Sequence, residues 1–248
     1  MRAAYGIVRS LVIYYGQPWK RRRMDALYAR FVRPGDLCFD VGAHVGNRVG
    51  CFRRLGARVL AVEPQPDCVA VLRRLYGRDP DVAIEAVGVA DRAGTGQLSV
   101  VTTNPTVSTL SAEWQAEVGP LFGVRWDRTL EVPLVTMDAL IARHGEPAFA
   151  KIDVEGFEEQ VLAGLSRPLR ALSFEFVPAA LPRALACIDR LEGLARYRYA
   201  VSLGETHRID EADQDADGIR AWLHAAGPRS GDVYAVRDDG GPVRARAG

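Results

Sequence analysis

Short apolar segments alternate with helix-length segments along most of this chain, and that alternation restricts the folds it can adopt. The first strand is predicted at Leu37–Val41, with a helix at 47–55. The second strand is predicted at Arg58–Val62, with a helix at 67–76. Strands and helices that alternate in this way form mainly parallel sheets covered by helices on both faces. The sequence shows no internal repeat and no second apolar core, so we expect a single α/β domain.

The later part of the chain continues this pattern after an interruption. A third strand is predicted at 82–87, and strands at 97–102 and 129–135 enclose a long connection with a short helix near 111–118. A long connection inside a compact domain is usually functional or mobile. The remaining predicted elements are helix Met137–His144, strand 148–154, helix 155–165, strand 171–177, helix 181–194, strand Tyr197–Leu203, a connection that holds 213–226, and strand 232–236.

Charge and composition exclude several classes of function. The 32 basic residues oppose 31 acidic residues and leave a net charge of +1. Nucleic-acid-binding domains usually carry a basic excess, so no nucleic-acid partner is predicted. No window approaches about 18 consecutive apolar residues, so no integral membrane span is predicted. The four cysteines form no Cys-x-x-Cys pair, which argues against a zinc site and favours a reducing, cytoplasmic location.

The chain divides into three predicted parts: a helical segment at 1–33 that packs on the core, the α/β domain at 34–236, and a flexible tail at 237–248. The apolar stretch near the start is interrupted by Arg9 and lacks a small-residue cleavage site, which is unlike a signal peptide. We therefore expect an amphipathic helix there. The basic run Lys20-Arg21-Arg22-Arg23 leaves a membrane-surface role as the less favoured alternative.

The first strand continues into a loop with glycines, DVGAHVGN at 40–47, and a helix follows. Glycine lets the backbone turn sharply and lets a ligand approach closely, and the helix N-terminus supplies free N–H groups. Glu63 follows Gly42 by 21 residues, at the end of the second strand. A carboxylate at this place can accept hydrogen bonds from both hydroxyls of a ribose, so the sequence predicts a nucleoside-binding crevice.

Two common nucleotide motifs are absent. A dinucleotide fingerprint that starts at Gly42 would require glycine where His44 and Asn47 stand. A phosphate-binding loop requires Gly-Lys-Ser/Thr, which the chain lacks. The pattern is instead similar to the S-adenosylmethionine loop of class I methyltransferases. This cofactor has no phosphate and carries a cationic sulfonium, which is compatible with nearby carboxylates such as Asp40.

Six segments restrict the similarity from class I methyltransferases in general to one family. They are FDVGAHVGN at 39–47, VEPQP at 62–66, AVGVADRAG at 86–94, VTMDAL at 135–140, KIDVEGFEEQVLAG at 151–164 and SFEF at 173–176. On these residues the chain resembles the FkbM family of S-adenosylmethionine-dependent methyltransferases, over about 34–177. The lysine-containing segment is the most specific of the six. The chain before 34 and after 177 matches only loosely.

The resemblance implies a Rossmann-like class I methyltransferase fold: a seven-stranded, mostly parallel sheet of order 3-2-1-4-5-7-6, with the last strand antiparallel and helices on both faces. It implies O-methylation of a hydroxyl on a small molecule or glycan, such as a sugar or polyketide. The residues assigned to S-adenosyl-L-methionine are Asp40, Gly42, Ala43, Gly46, Asn47, Glu63, Pro64, Val87 and Asp153. The oligomeric state is left open, with a homodimer as one candidate.

Candidate catalytic residues are Asp153, Glu175 and His44. Strand alternation puts Lys151, Asp153 and Glu155 on one side, and Glu155 is predicted to begin the next helix, where the helix dipole favours a carboxylate. An alcohol must lose its proton during methyl transfer, so Asp153 or Glu175 is expected to serve as general base. The alternative is that Asp153 or Glu155 only caps that helix and Lys151 neutralises it.

Other features near this site are less specific. Asp153 and Glu175 are only two ligands for a divalent cation, so no metal site is predicted. The hydroxyl-rich segment 104–110 is a candidate loop over the cofactor or acceptor, or else a solvated loop. Trp114 and Trp126 are expected to pack locally rather than to stack on a sugar.

Two other functions remain as alternatives. A nicotinamide-dependent oxidoreductase is disfavoured by the missing glycines, and a non-catalytic binding module is disfavoured by the set Asp40, Gly42, Gly46 and Glu63. A nucleic-acid methyltransferase is disfavoured by the balanced charge and the lack of an Asn/Asp-Pro-Pro-Tyr/Phe motif.

Overall fold

The computed structural model describes residues 2–239. Its helices are α1 Arg2–Tyr15, α2 Pro18–Tyr28, α3 Asn47–Arg54, α4 Pro66–Tyr76, α5 Ala112–Phe122, α6 Met137–His144, α7 Glu158–Ala163, α8 Leu181–Glu192 and α9 Ala216–Ala225. Its strands are β1 Leu37–Val41, β2 Arg58–Val62, β3 Val82–Glu85, β4 Gly88–Val89, β5 Gly94–Val100, β6 Arg128–Val135, β7 Phe149–Ile152, β8 Ala171–Phe176, β9 Tyr197–Leu203, β10 Glu211–Gln214 and β11 Gly231–Arg237.

The central sheet has the order β10-β9-β11-β8-β7-β1-β2-β3. Strands β3, β2, β1, β7 and β8 pair in parallel, and β11 is antiparallel to both β8 and β9. The predicted order 3-2-1-4-5-7-6 and the antiparallel last strand are therefore confirmed. The predicted number of seven strands is wrong by one, because β10 adds an eighth at the edge. The sequence of β10, Glu-Ala-Asp-Gln, lacks an apolar alternation that would predict a strand.

A separate three-stranded sheet has the order β4-β6-β5. The predicted third strand at 82–87 ends two residues early, at Glu85, and the chain then enters the second sheet with β4 at Gly88. A Cβ at Gly88 would lie 2.7 Å from Leu134 on β6, so the short strand packs closely there. Strands β5 and β6 are antiparallel and enclose the long connection that contains α5.

Helices cover both faces of the central sheet, as predicted. One apolar cluster joins α6, α7, α8 and α9 to the sheet through residues such as Leu140, Val161 and Ile188. The other joins α2 and α3 to the opposite face, where Tyr28 meets Phe52 edge-on at a centroid distance of 5.0 Å. Full burial of such side chains stabilises a fold by about 1.5–3 kcal/mol each. The two layers hold the strands rigidly, and the carboxyl ends of β1, β2 and β7 lie together.

The N-terminal segment forms two helices rather than one. Met24, Leu27 and Tyr28 place α2 against the core, and α1 lies over the loop that follows β1. Within residues 2–239, no helix has the length and apolar character needed to cross a bilayer. The boundaries at 33/34 and 236/237 stay predictions; Arg237 belongs to β11, and residues 1 and 240–248 lie outside the described part of the chain.

The four cysteines are free and buried in four different elements: Cys38 in β1, Cys51 in α3, Cys68 in α4 and Cys187 in α8. Burial raises the pKa of each thiol, that of Cys38 to about 12. These thiols are therefore packed as apolar groups.

Candidate functional site

A cavity of about 550 Å³, its open mouth included, lies at the carboxyl ends of β1, β2 and β7. Its lining includes the carboxyl groups of Glu63 and Asp153 and the apolar side chains of Val87, Leu98 and Leu110. Ligands of open parallel sheets bind at this edge. We call this the first cavity.

The glycine loop turns sharply, as its sequence predicts. The atoms that lie close to Gly42 and Gly46 belong to the protein itself, whereas the sequence predicted the close approach of a ligand. Gly42 has a φ of 85°, and a Cβ there would lie 1.8 Å from the backbone oxygen of Asp153. Gly46 has a φ of 83°, and its neighbours are Tyr76 and Leu72 of α4. Glycine at 42 therefore lets the ends of β1 and β7 meet, and glycine at 46 lets α4 pack.

Glu63 is buried at the end of β2 and borders the first cavity. Its Oε2 accepts a hydrogen bond of 2.8 Å from the backbone N–H of His44, and its Oε1 accepts one of 2.8 Å from that of Gln65. Burial raises the pKa of Glu63 to about 7, against the effect of these two bonds. Each oxygen keeps a further lone pair, so the carboxylate can still accept hydrogen bonds from a ligand.

A second cavity adjoins the first, and the two share Gly42, His44 and Asp153. Three residues that line it each keep one buried polar atom without a hydrogen-bond partner within residues 2–239: Asp40 Oδ2, His44 Nδ1 and Arg48 Nε. Such atoms cost free energy unless something pairs with them. The second cavity is therefore suited to a small ligand with both charged donors and acceptors.

The charges in the second cavity are strongly perturbed by burial. Burial raises the pKa of Asp40 to about 7, although the Arg48 guanidinium acts in the opposite direction. Arg48 donates from Nη2 to Glu205 at 3.1 Å. Burial lowers the pKa of His44 to about 4, so this imidazole is neutral at physiological pH. The second cavity thus offers the carboxyl group of Asp40 and the guanidinium of Arg48, which suit ligand groups of opposite charge.

Most of the residues assigned to the cofactor lie in these two cavities. Gly42, Glu63, Pro64, Val87 and Asp153 line the first; Asp40, Gly42, Ala43, Asn47 and Asp153 line the second. Gly46 lines neither. The assignment as a whole stays a prediction.

Asp153 is held by a buried lysine. Lys151 on β7 donates to Asp153 Oδ2 at 3.1 Å and to Asp232 Oδ1 on β11 at 2.9 Å. Burial opposes a charge on Lys151, but the carboxylates of Asp153 and Asp232 outweigh it and raise the pKa of Lys151 well above its ordinary value. Lys151 therefore keeps its charge and fixes the position of Asp153.

The prediction that Glu155 begins a helix is wrong. Glu155 has a φ of 53° and Gly156 one of 86°, so the chain turns here and α7 begins only at Glu158. A Cβ on Gly156 would lie 2.0 Å from Trp114, which packs on this turn. Glu158 stabilises the turn by accepting hydrogen bonds from the N–H groups of Val154 and Gly156.

The turn brings three carboxyl groups together. One oxygen each of Asp153, Glu155 and Glu175 lie within 4.8 Å of one another. Burial, and then the neighbouring carboxylates, raise the pKa of Glu155 and of Glu175 well above their ordinary values. The group offers three oxygen ligands to a divalent cation, or else two carboxylic acids beside Asp153. The absence of a metal site stays a prediction.

Helix α1 forms a roof over the glycine loop. The hydroxyl of Tyr15 donates to the backbone oxygen of Val45 at 3.1 Å, and Ser10 Oγ lies 3.4 Å from His44 Nε2. The ring of Tyr14 meets that of His44 at 5.6 Å. Residues of α1 therefore border the site from outside the resembling segment.

Segment 104–110 also borders the first cavity. Pro105, Thr106, Ser108 and Leu110 line it, and Ser108 Oγ donates to Gln65 Oε1 at 3.0 Å. Trp114 and Trp126 meet edge-on at 6.0 Å in a small cluster, which confirms that they pack locally.

Sequence analysis missed Tyr14, Arg48, Glu205 and Asp232. Arg48 directly follows the glycine loop and could have been found by its place in the first turn of α3. The other three come from α1, a turn after β9 and strand β11, all outside the segments that carry the resemblance.

The order of the central sheet, with antiparallel β11 between β8 and β9, and the cavities at the ends of β1, β2 and β7 define a class I methyltransferase fold. The sequence model of the methyltransferase FkbM domain matches residues 40–230. The chain belongs to the FkbM methyltransferase family.

Two curated relatives match at modest identity. Hexuronic acid methyltransferase AglP of Haloferax volcanii is 28% identical over 145 residues, which cover 57% of this chain and 55% of that protein. The 31-O-demethyl-FK506 methyltransferase FkbM of Streptomyces tacrolimicus is 30% identical over 174 residues, which cover 57% and 65%. The chain thus spans less than two thirds of either relative.

Among solved structures, an O-methyltransferase from Bacillus cereus overlaps 94% of this chain and 90% of its own, with a TM-score of 0.45 and 12% identity.

Proposed function

We propose that this protein is an S-adenosylmethionine-dependent methyltransferase that acts on a hydroxyl of a small molecule or glycan. The observation that carries the proposal is the pair of joined cavities with Glu63 in one and the unpartnered atoms of Asp40 and Arg48 in the other. Membership of the FkbM family supports the reaction class.

The residues present fit this cofactor. Glu63 would hold the ribose hydroxyls, and the apolar wall with Val87 and Leu110 suits a purine ring. Asp40 would pair with the ammonium group of the methionine part and Arg48 with its carboxylate. A neutral His44 adds no positive charge beside a cationic cofactor.

S-adenosylmethionine supplies an electrophilic methyl group when bound. Asp153, held by Lys151, would accept the proton of the acceptor hydroxyl. Glu155 and Glu175, whose raised pKa values favour the protonated form, would donate hydrogen bonds to acceptor oxygens. Fixed placement of these groups supplies much of the rate.

The names of the relatives support sugars and macrolides as acceptor classes for this chain. A cytoplasmic location belongs to the proposal, and the oligomeric state stays open, with a homodimer as one candidate. A nicotinamide cofactor and a non-catalytic role are outcomes that the experiment below distinguishes.

The first experiment is titration calorimetry with S-adenosylhomocysteine and, separately, with NADH. We expect binding of the former alone. Glu63→Gln keeps the size of the side chain, but its NH₂ cannot accept a ribose hydrogen bond, so the affinity should fall roughly 10- to 150-fold.

Glu85→Gln is the matched control, because Glu85 ends the next strand, β3, and lines neither cavity. Methyl transfer to a panel of hydroxylated sugars and macrolides follows, with and without a chelator. Folded protein that does not bind S-adenosylhomocysteine would contradict the proposal. Binding without transfer to any acceptor would favour a binding module.

A further inference from the structure

Helix α1 exposes apolar side chains, together with Arg9, on the side that faces away from the protein, and it also packs apolar side chains on the inner side. Its inner side is in close contact, since a Cβ on Gly6 would lie 2.4 Å from the backbone oxygen of Thr102. Its outer side exposes Tyr5, Val8, Val12 and Ile13 by 63%, 57%, 64% and 40%. Apolar side chains on a helix are normally packed against other elements, so this exposed set is unusual.

The exposed apolar residues are concentrated in this region. Trp19, at the start of α2, is 64% exposed and follows α1 closely in the chain. Elsewhere in the part of the chain that the structure describes, the large exposed apolar side chains are Leu75 and Leu121, which stand apart on α4 and α5. Exposed apolar side chains concentrated in one segment are a candidate interaction surface.

The same region carries a strong positive charge. Residues 1–24 contain six basic residues and no acidic residue, although the whole chain has a net charge of only +1. Arg21, Arg22 and Arg23 are exposed on α2. Within residues 2–239, neither Arg22 nor Arg23 forms an ion pair. The partner of this surface should therefore be anionic.

Two partners could cover this surface, a second copy of the chain or a lipid bilayer, and the positive charge favours the bilayer. A two-fold symmetric dimer brings the same patch of each copy together, so the arginine clusters would lie close to each other. A bilayer with anionic lipids instead attracts them, at about 1 kcal/mol for each basic residue. Tryptophan and tyrosine favour the membrane–water interface.

We propose that the outer side of α1, together with Trp19 and Arg21–Arg23, binds the surface of an anionic lipid bilayer. The 14 residues of α1 extend about 21 Å, less than the roughly 30 Å of a hydrocarbon core. The helix therefore lies in the plane of the interface. This binding does not depend on the proposed methyl transfer.

The experiment is co-sedimentation of the protein with phosphatidylcholine vesicles that contain or lack phosphatidylglycerol, at low and high salt. We expect binding to the anionic vesicles that weakens with salt. Val8→Ser with Val12→Ser should weaken it roughly tenfold. Arg22→Ser with Arg23→Ser should weaken it roughly 30-fold.

The matched control is Arg73→Ser with Arg74→Ser and Leu75→Ser, which removes two exposed arginines and an exposed leucine from α4. It should bind vesicles as the unmodified protein does. Thermal unfolding and S-adenosylhomocysteine titration of each variant separate loss of this surface from loss of the fold.

Equal sedimentation with and without anionic vesicles would overturn the proposal. So would equal losses in the α4 control. A dimer in light scattering that Val8→Ser with Val12→Ser dissociates, without vesicle binding, would assign the surface to a second copy of the chain.

Discussion

At the scale of single residues, the carboxyl groups of the site differ in the charge of their neighbours. Asp153 accepts a hydrogen bond from the Lys151 ammonium, whereas Glu155 and Glu175 face other carboxyl groups in a buried setting. Burial and neighbouring negative charge both favour the protonated form of an acid. Of the three, Asp153 is therefore the one that we propose as general base.

Asp153→Asn and Glu175→Gln should therefore differ strongly in turnover. Asparagine cannot take a proton, so the rate should fall on the order of 100- to 10,000-fold. Glutamine resembles a protonated Glu175, so this variant should stay within about tenfold of the original rate. Steady-state kinetics with a working acceptor test this. A larger loss in Glu175→Gln would make Glu175 the base.

At the scale of elements, the ends of β1 and β7 depend on each other. Gly42 closes β1 directly against the carbonyl of Asp153, and the N–H of Asp153 donates to Val41 at 2.9 Å. The position of Asp153, the proposed general base, is thus set in part by a glycine of another strand.

Gly42→Ala should therefore displace Asp153 as well as strain the loop. A residue with a side chain at this positive φ costs roughly 1–3 kcal/mol, and the clash with the Asp153 carbonyl adds to that. We expect a lower Tm and a lower kcat.

Gly35→Ala is the control, because Gly35 has a nearly equal φ of 84° and nothing within 4 Å of its Cβ position. Gly35→Ala therefore measures how much stability is lost through the positive φ alone, without a clash. Equal unfolding temperatures in the two variants would show that β7 tolerates the extra atom.

At the scale of the whole molecule, most strands were predictable because apolar periodicity marks them, and their order in the sheet was predictable only from the family resemblance. The Glu155 turn was not predictable, since a non-glycine residue rarely adopts a left-handed backbone and the turn packs against Trp114 from a distant helix. Asp232 and Tyr14 joined the site only through tertiary packing. Local sequence carries no signal for such contacts.

The buried acids also govern stability as a function of pH. Asp40, Glu63 and Glu158 have pKa values raised to about 7, chiefly by burial. In the folded state these acids retain protons that the unfolded chain releases. The stability of the fold therefore falls as pH rises from about 4, the pKa of the unfolded acids, through about 7. His44 and His207, with pKa values lowered to about 4 by burial, act in the opposite direction, but only below their unfolded pKa of about 6.5.

Between about pH 6.5 and about pH 8.5 the acids therefore dominate, and the Tm of the ligand-free protein should fall by on the order of 5–10 °C. Differential scanning calorimetry measures this. Glu175→Gln should reduce the fall, since it removes one proton that folding retains. A Tm that does not fall over this interval would mean that these carboxyl groups are ionised in the folded protein.

The four buried thiols are built-in probes of local opening of the structure. A thiol reacts as the thiolate, and packing suppresses that form at all four positions, so a reagent in solution must wait for the surrounding element to open. Because Cys38, Cys51, Cys68 and Cys187 belong to four different elements, the sequence in which they become labelled reports the sequence in which those elements open. Opening at α3 and α4, which flank the glycine loop, would thereby be distinguishable in time from opening at the central strand or at α8.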